Sequence, residues 1–238
     1  MNGNATLEAR YRAVLERIGR AAAAAGRDAV SVRLLAVGKT FGAADLRALA
    51  ALGQREFGEN YVQEAEAKMA ALADVGLVWH FIGPIQSNKT RRIAESFDWV
   101  QSVEDERIAR RLSTQRPPGR PPLNVCLQVN LSGEATKSGC RPDEVLPLAV
   151  AVQALPGLAL RGLMSIPEPT EDSGLQARRF GELRALFEQV KGGLGTAGAT
   201  FDTLSMGMSA DLEAAIAEGA TLVRVGSALF GERPSAGT

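Results

Sequence analysis

Histidine is almost missing from this 238-residue chain; His80 is the only one. Ser-His-Asp catalysis therefore has little support. Cysteine is scarce as well. Cys126 and Cys140 are too few for a disulfide framework, so a reducing, cytoplasmic compartment is expected. In that setting the sequons at Asn4, Asn88 and Asn130 carry no weight. The early residues lack a charged segment followed by an apolar one. Glu8, Arg10, Arg12 and Glu16 break up the apolar positions, which reads as helix and not as a signal peptide. No run approaches the ~18 uninterrupted apolar residues of a membrane span. Net charge is absent too, with 27 Lys+Arg against 27 Asp+Glu. No overall positive field exists to hold a nucleic-acid backbone or an anionic membrane, so neither is an expected partner. Nothing in this balance calls for more than a monomer.

The remaining composition is that of an ordinary globular protein. At 25.1 kDa and 45% hydrophobic residues, the chain suits a single domain over 1–238, with its core at about 30–233. Short apolar runs alternate with helix-forming stretches. Strands are expected at 34–40 (LLAVGKT), 55–60 (REFGEN), 79–84 (WHFIGP) and 98–103 (DWVQSV). Four more are expected at 124–130 (NVCLQVN), 158–166 (LALRGLMSI), 201–207 (FDTLSMG) and 222–226 (LVRVG). Helical spacing fills 43–52, 61–72, 104–112, 142–155, 175–190 and 210–218, and a further helix spans about 6–25. Gly53, Gly157 and Gly219 stand where helix ends favour a left-handed residue. The segment 116–122 (RPPGRPP) reads as a stiff loop, and 192–200 (GGLGTAGAT) as a flexible connection.

Eight strand–helix repeats in about 200 residues fit an α/β fold of the (β/α)8 TIM-barrel type, preceded by an extra helix. A doubly wound sheet usually has fewer strands and a Gly-rich first turn, which this chain lacks.

In such a barrel, functional groups gather where strands end. Those positions hold Lys39 with Thr40, Glu59 with Asn60 and Tyr61, His80 with Gly83 and Pro84, Asn130, Met164 with Ser165, Ser205 to Ser209, and Arg224, Gly226 and Ser227. They contain no carboxylate pair beside histidine, so no metal is expected. Lysine is rare, five of the 27 basic residues, and Lys39 ends an apolar run. Burial lowers an ammonium pKa from about 10.4, and a neutral amine is what Schiff-base chemistry needs. The plainer reading is a strand-end lysine that reaches solvent or a carboxylate. Gly38-Lys39-Thr40 is not a phosphate loop, because position 33 is arginine where that loop needs glycine.

The turn through Ser205, Met206, Gly207, Met208 and Ser209 leads from strand to helix and offers backbone N–H groups to an anion. A plainly capped helix is the alternative. About 15 residues on, Arg224-Val225-Gly226-Ser227 repeats the arrangement. Barrels often hold phosphate after strands seven and eight. Two such turns opposite a lysine point to a phosphorylated carbonyl compound, and pyridoxal phosphate meets both demands.

The segments LLAVGKT, FGENYVQEAEAK, WHFIGPIQSNK, NVCLQVNLSGEATKSG, LRGLMSIP and TLSMGMSADLEAAIAEGATLVRVGSALFGER closely resemble the pyridoxal phosphate homeostasis protein family. Its members look like the N-terminal barrel of alanine racemase standing alone, and the likeness runs in order from about 34 to 233. It implies pyridoxal phosphate held as a lysine aldimine and a role in vitamin B6 and amino-acid homeostasis, without established catalysis. Carried over, Lys39 is the aldimine lysine. Met208, Ser209, Gly226 and Ser227 would hold the phosphate with Ser205 nearby, and Arg224 would face the pyridine nitrogen. Asn60, Met164 and Ser165 would lie by the ring. Relatives often have serine at Gly38, a departure read as tolerated. Many also have a second lysine at Phe41, and its absence here removes the amine that a transfer route through that neighbour needs. Lys137 matches the family and reads as a solvated loop lysine or a secondary site.

The resemblance favours a carrier or reservoir over a strong catalyst. An arginine, with a pKa above about 12, does not give its proton to the ring nitrogen. The racemase's second base is a tyrosine of a further domain, which is not expected here. Of the two tyrosines, Tyr11 is expected to pack on the first helix, leaving Tyr61 for residual acid–base work. Transient contact with cofactor-requiring enzymes is expected. A racemase-like enzyme and a sugar-phosphate barrel are the alternatives.

Overall fold

The computed structural model describes residues 3–132 and 138–231. Eight parallel strands close in sequence order, and β8 pairs back onto β1. They are β1 (Arg33–Val37), β2 (Glu56–Glu59), β3 (Val78–Phe81), β4 (Trp99–Val103), β5 (Leu123–Gln128), β6 (Leu158–Met164), β7 (Thr203–Ser205) and β8 (Leu222–Val225). The expected barrel is what forms. Around it run α1 (Gly3–Ala24), α2 (Ala43–Ala51), α3 (Val62–Ala71), α4 (Thr90–Ser96) and α5 (Glu106–Gln115). The ring is completed by α6 (Val145–Gln153), α7 (Ser173–Gly193), α8 (Leu212–Ala217) and α9 (Ser227–Phe230).

The period of two along each strand sorts the residues into two layers. Outward residues such as Ala36, Phe57, Phe81, Val100, Val125 and Leu163 pack against the helices in the main core. Inward residues include a small apolar cluster of Trp99, Cys126 and Met164 together with several buried polar groups. At β6 the backbone comes so close to β7 that a Cβ on Gly162 would stand 1.7 Å from the Thr203 carbonyl oxygen. Only glycine fits there.

The structure departs from the sequence reading in several places. β1 stops at Val37, so Lys39 lies in the following turn and not within a strand. The helices α4 and α9 fall outside the expected ones; at seven and four residues they show too little of the 3.6 period to register. The stretch 192–200 is ordered as the end of α7 and a 3-10 helix, Gly195–Thr200. His80, placed with the strand-end residues, is fully buried inside the barrel, because β3 continues past it to Phe81. Segment 116–122 is a loop as expected, pinned by the buried Arg116, which donates to the carbonyls of Ala94 (2.6 Å), Phe97 (2.7 Å) and Pro121 (2.9 Å). Gly53, Gly157 and Gly219 all have positive φ.

Candidate functional site

A cavity of about 370 Å³ opens at the C-terminal ends of the strands. Seven of the ten residues expected at the site line it: Lys39, Asn60, Met208, Ser209, Arg224, Gly226 and Ser227. Its apolar wall, which lies outside the expected site residues, includes Val37, Phe41, Ile82 and Ile166. Apolar wall residues carry no signal that separates them from core. Phe41 stacks on Phe230 with ring centroids 4.5 Å apart, closing one side.

The other three expected residues lie below the cavity. Ser165 and Ser205 are buried and hold Arg224. The guanidinium donates to Ser205 Oγ (2.7 Å) and to the Ser165 carbonyl (2.8 Å). Met164 is fully buried against Trp99 and Cys126 in the barrel interior and does not line the cavity, since its side chain points inward one step below the rim. Both cysteine thiols are buried, which pushes their pKa up to about 12 and leaves them inert. Lys137 lies outside the described residues.

Arg224 has no carboxylate at ion-pairing distance among the described residues. Burial pulls its pKa down to about 10, which still leaves it charged at neutral pH. Beneath it a polar file runs down the barrel. Ser205 Oγ lies 2.6 Å from Gln101 Oε1, and Gln101 Nε2 lies 2.9 Å from His80 Nδ1. His80 Nε2 stands 3.2 Å from Glu56 Oε2, and Glu56 pairs with Arg33. The imidazole also stacks on Trp99 at 5.1 Å, and burial lowers its pKa, so it is neutral. Ser205 and His80 were picked out from the sequence, but Gln101, Glu56 and the links between them were not. They come from different strands, and only barrel closure brings them together.

The two turns expected to bind an anion are adjacent and joined, because Ala228 N–H donates to Ser209 Oγ at 3.3 Å. From behind they are held by α1. Arg17 donates to the Ser209 carbonyl (3.0 Å) and Arg10 to the carbonyls of Leu229 (2.7 Å) and Phe230 (3.2 Å). The extra helix thus braces the site. Met208 is a partial exception to the sequence reading. Its N–H is bonded to Asp211 Oδ1 at 2.6 Å, so Met208 supplies wall and not an available amide.

The sequence profile of the alanine racemase N-terminal domain family matches residues 11–234. The pyridoxal phosphate homeostasis protein of Pseudomonas aeruginosa is 62% identical over 220 residues, covering 92% of this chain and 93% of that protein. The chain belongs to the pyridoxal phosphate homeostasis protein family. The member from Escherichia coli K12 is 48% identical over 223 residues, covering 92% of this chain and 94% of that one. Among solved structures, PipY of Synechococcus elongatus with PLP bound is 40% identical, with a TM-score of 0.76 over 84% of this chain and 93% of that one. Alanine racemase from Corynebacterium glutamicum shares the fold at 18% identity and a TM-score of 0.64, over 95% of this chain and 63% of that longer one.

Members of this family carry the cofactor's name, and the cavity can be tested against it. Among the described residues, the lining has one amine, one guanidinium and no carboxylate, thiol, imidazole or phenol. Buried Asn60 Oδ1 finds no hydrogen-bond partner among the described residues, an unmet acceptor beside the space. A guanidinium without a carboxylate partner among the described residues fits an anionic guest. The volume falls within the usual range for small-ligand sites, about 300–1,000 Å³. Among the described residues no three His, Cys, Asp or Glu side chains are grouped to hold a metal, and no helix is long and apolar enough to cross a membrane.

Proposed function

We propose that this chain binds pyridoxal 5′-phosphate, holds it covalently through Lys39, and serves as a carrier or reservoir in vitamin B6 and amino-acid homeostasis. The observation that carries the reading is the lining of the cavity: Lys39 and the buried Arg224 share one wall with the joined turns at Ser209 and Ser227. In this reading the Lys39 nitrogen adds to the aldehyde carbon and the carbonyl oxygen leaves as water. Ser209, Gly226 and Ser227 take the phosphate, braced by α1. Arg224, fixed by Ser165 and Ser205, would face the pyridine nitrogen. Once bound, the cofactor supplies a reversible aldehyde and an electron sink.

Storage fits the lining better than turnover does. Arg224 stays charged and only donates, so it does not hand a proton to the ring. The nearest phenol, Tyr61, is 62% exposed and lines a separate, smaller cleft with Asn60, Gln86 and Lys89. That placement is what a racemase-like reading would rest on. An open mouth suits transient contact with enzymes that need the cofactor.

The test is a spectrum of the purified protein with added pyridoxal phosphate. A band at about 420 nm should form, vanish on borohydride reduction, and be missing in Lys39→Ala. Peptide mapping should find the added mass on Lys39; a label elsewhere, or none, overturns the reading. For the alternative, L-alanine or L-serine in heavy water is followed for α-deuteration. Exchange faster than about 1 per second, the low end for enzymes, would favour the racemase-like reading.

A further inference from the structure

The turn that carries Lys39 is clamped from both sides by a buried ion-pair cluster on the neighbouring strand and helix. Lys68, on α3, is 5% exposed. Its ammonium donates to the Gly38 carbonyl (2.8 Å), to Glu59 Oε1 (2.8 Å) and to Glu64 Oε1 (2.6 Å). The same Glu64 oxygen accepts the Thr40 N–H at 2.9 Å. The carbonyl before Lys39 and the amide after it are therefore both tied to one charged group. Thr40 adopts a φ of +73°, and no other described non-glycine residue has positive φ. Such a conformation costs energy for a β-branched residue and persists only where its surroundings enforce it. Gly38 completes the clamp, because a Cβ there would fall 2.7 Å from Glu59 Oε1 and 3.1 Å from Leu46.

A buried ion pair is a poor source of stability, since apolar side chains of similar volume often pack as well or better. What this one does, and apolar packing could not, is grip two backbone groups that flank a single amine.

We propose that Lys68, held between Glu59 and Glu64, is the positioning residue that sets the Lys39 amine for covalent capture of its ligand. The inference rests on the function proposed above and concerns only the placement of Lys39. Burial pushes the Glu59 carboxyl up to about 7, as expected for a carboxyl sealed into this cluster with one oxygen, Oε2, unpartnered among the described residues.

The experiment compares two probes on the full chain. Pyridoxal 5′-phosphate can be captured by Lys39, whereas pyridoxine 5′-phosphate offers the same phosphate and ring without an aldehyde. Lys68→Met and Glu64→Gln should weaken pyridoxal phosphate binding by at least about tenfold, a loss of ~1.4 kcal/mol. Both should leave pyridoxine phosphate within about twofold, and Lys68→Arg should restore most of the loss, because these changes act on the amine and not on the phosphate grip. Glu64 is partly exposed, so Glu64→Gln decides the matter if Lys68→Met does not fold. Equal losses for both probes, or no loss for either, overturn the positioning role. If the unaltered protein forms no reducible adduct at Lys39, the proposed function fails first; an unaltered adduct in the variants defeats the clamp alone.

Discussion

Arg224 donates to Ser205 Oγ at 2.7 Å, and that contact sets the sense of every hydrogen bond beneath it. A guanidinium can only donate. Ser205 Oγ therefore receives from Arg224 and gives its own proton to Gln101 Oε1, 2.6 Å away. Gln101 must then turn its amide nitrogen toward His80 Nδ1, 2.9 Å away. The neutral imidazole is left with its proton on Nε2, which lies 3.2 Å from Glu56 Oε2 but without the alignment of a hydrogen bond.

Because His80 is the only histidine, NMR can read this directly. The ring should be neutral and protonated on Nε2 at pH 7, and should remain neutral below pH 6.5, since burial holds its pKa down. Unfolded histidine gains a proton near pH 6.5 while the buried ring does not. Protons then favour the unfolded chain, so this residue's contribution is full above that pH and is lost as pH falls, by up to ~1.4 kcal/mol per unit. An Nδ1–H ring, or titration at an ordinary pKa, would contradict the direction of the file.

Removing one link should cost more than its size implies. Ser205→Ala deletes a single oxygen but leaves Gln101 Oε1 and one Arg224 donor buried without a partner. A loss of about 1–3 kcal/mol in urea unfolding is expected, against less than ~1.5 kcal/mol for the volume-conserving Met164→Leu in the same barrel interior. Equal, small losses for the two variants would mean that the file is not intact in solution.

Glu59 predicts a pH dependence of opposite sign. Its carboxyl titrates near 7 when folded, raised by burial, and near 4.5 when exposed. Between those values the folded chain holds the extra proton, so its contribution to stability falls as pH rises through the window. Glu59→Gln removes that dependence and leaves the His80 contribution untouched. Stability of the variant relative to the parent should therefore rise from pH 5 to pH 8 in urea titrations. A constant difference would show the carboxyl already ionised at pH 5.

Much of the architecture was legible along the chain, and the reason is local. Apolar runs such as 34–37 and 222–225 and the i, i+3, i+4 spacing of α2, α3 and α7 are set by neighbours in sequence, so strand–helix alternation and the barrel can be read from them. That Lys39, Arg224, Ser209 and Gly226 would share a cavity wall was legible because barrel loops gather where strands end, and strand ends are visible in sequence.

Closure of the barrel decided the rest. Gln101 meets Ser205 across 104 positions, and Ser165 meets Arg224 across 59. Lys68 reaches back 30 residues to the Gly38 carbonyl. No local pattern encodes such meetings, because a polar side chain in a buried strand looks the same in sequence whether or not a partner awaits it. Which inward-facing groups share a level inside the cylinder depends on strand register and shear, and those exist only once the eighth strand pairs with the first.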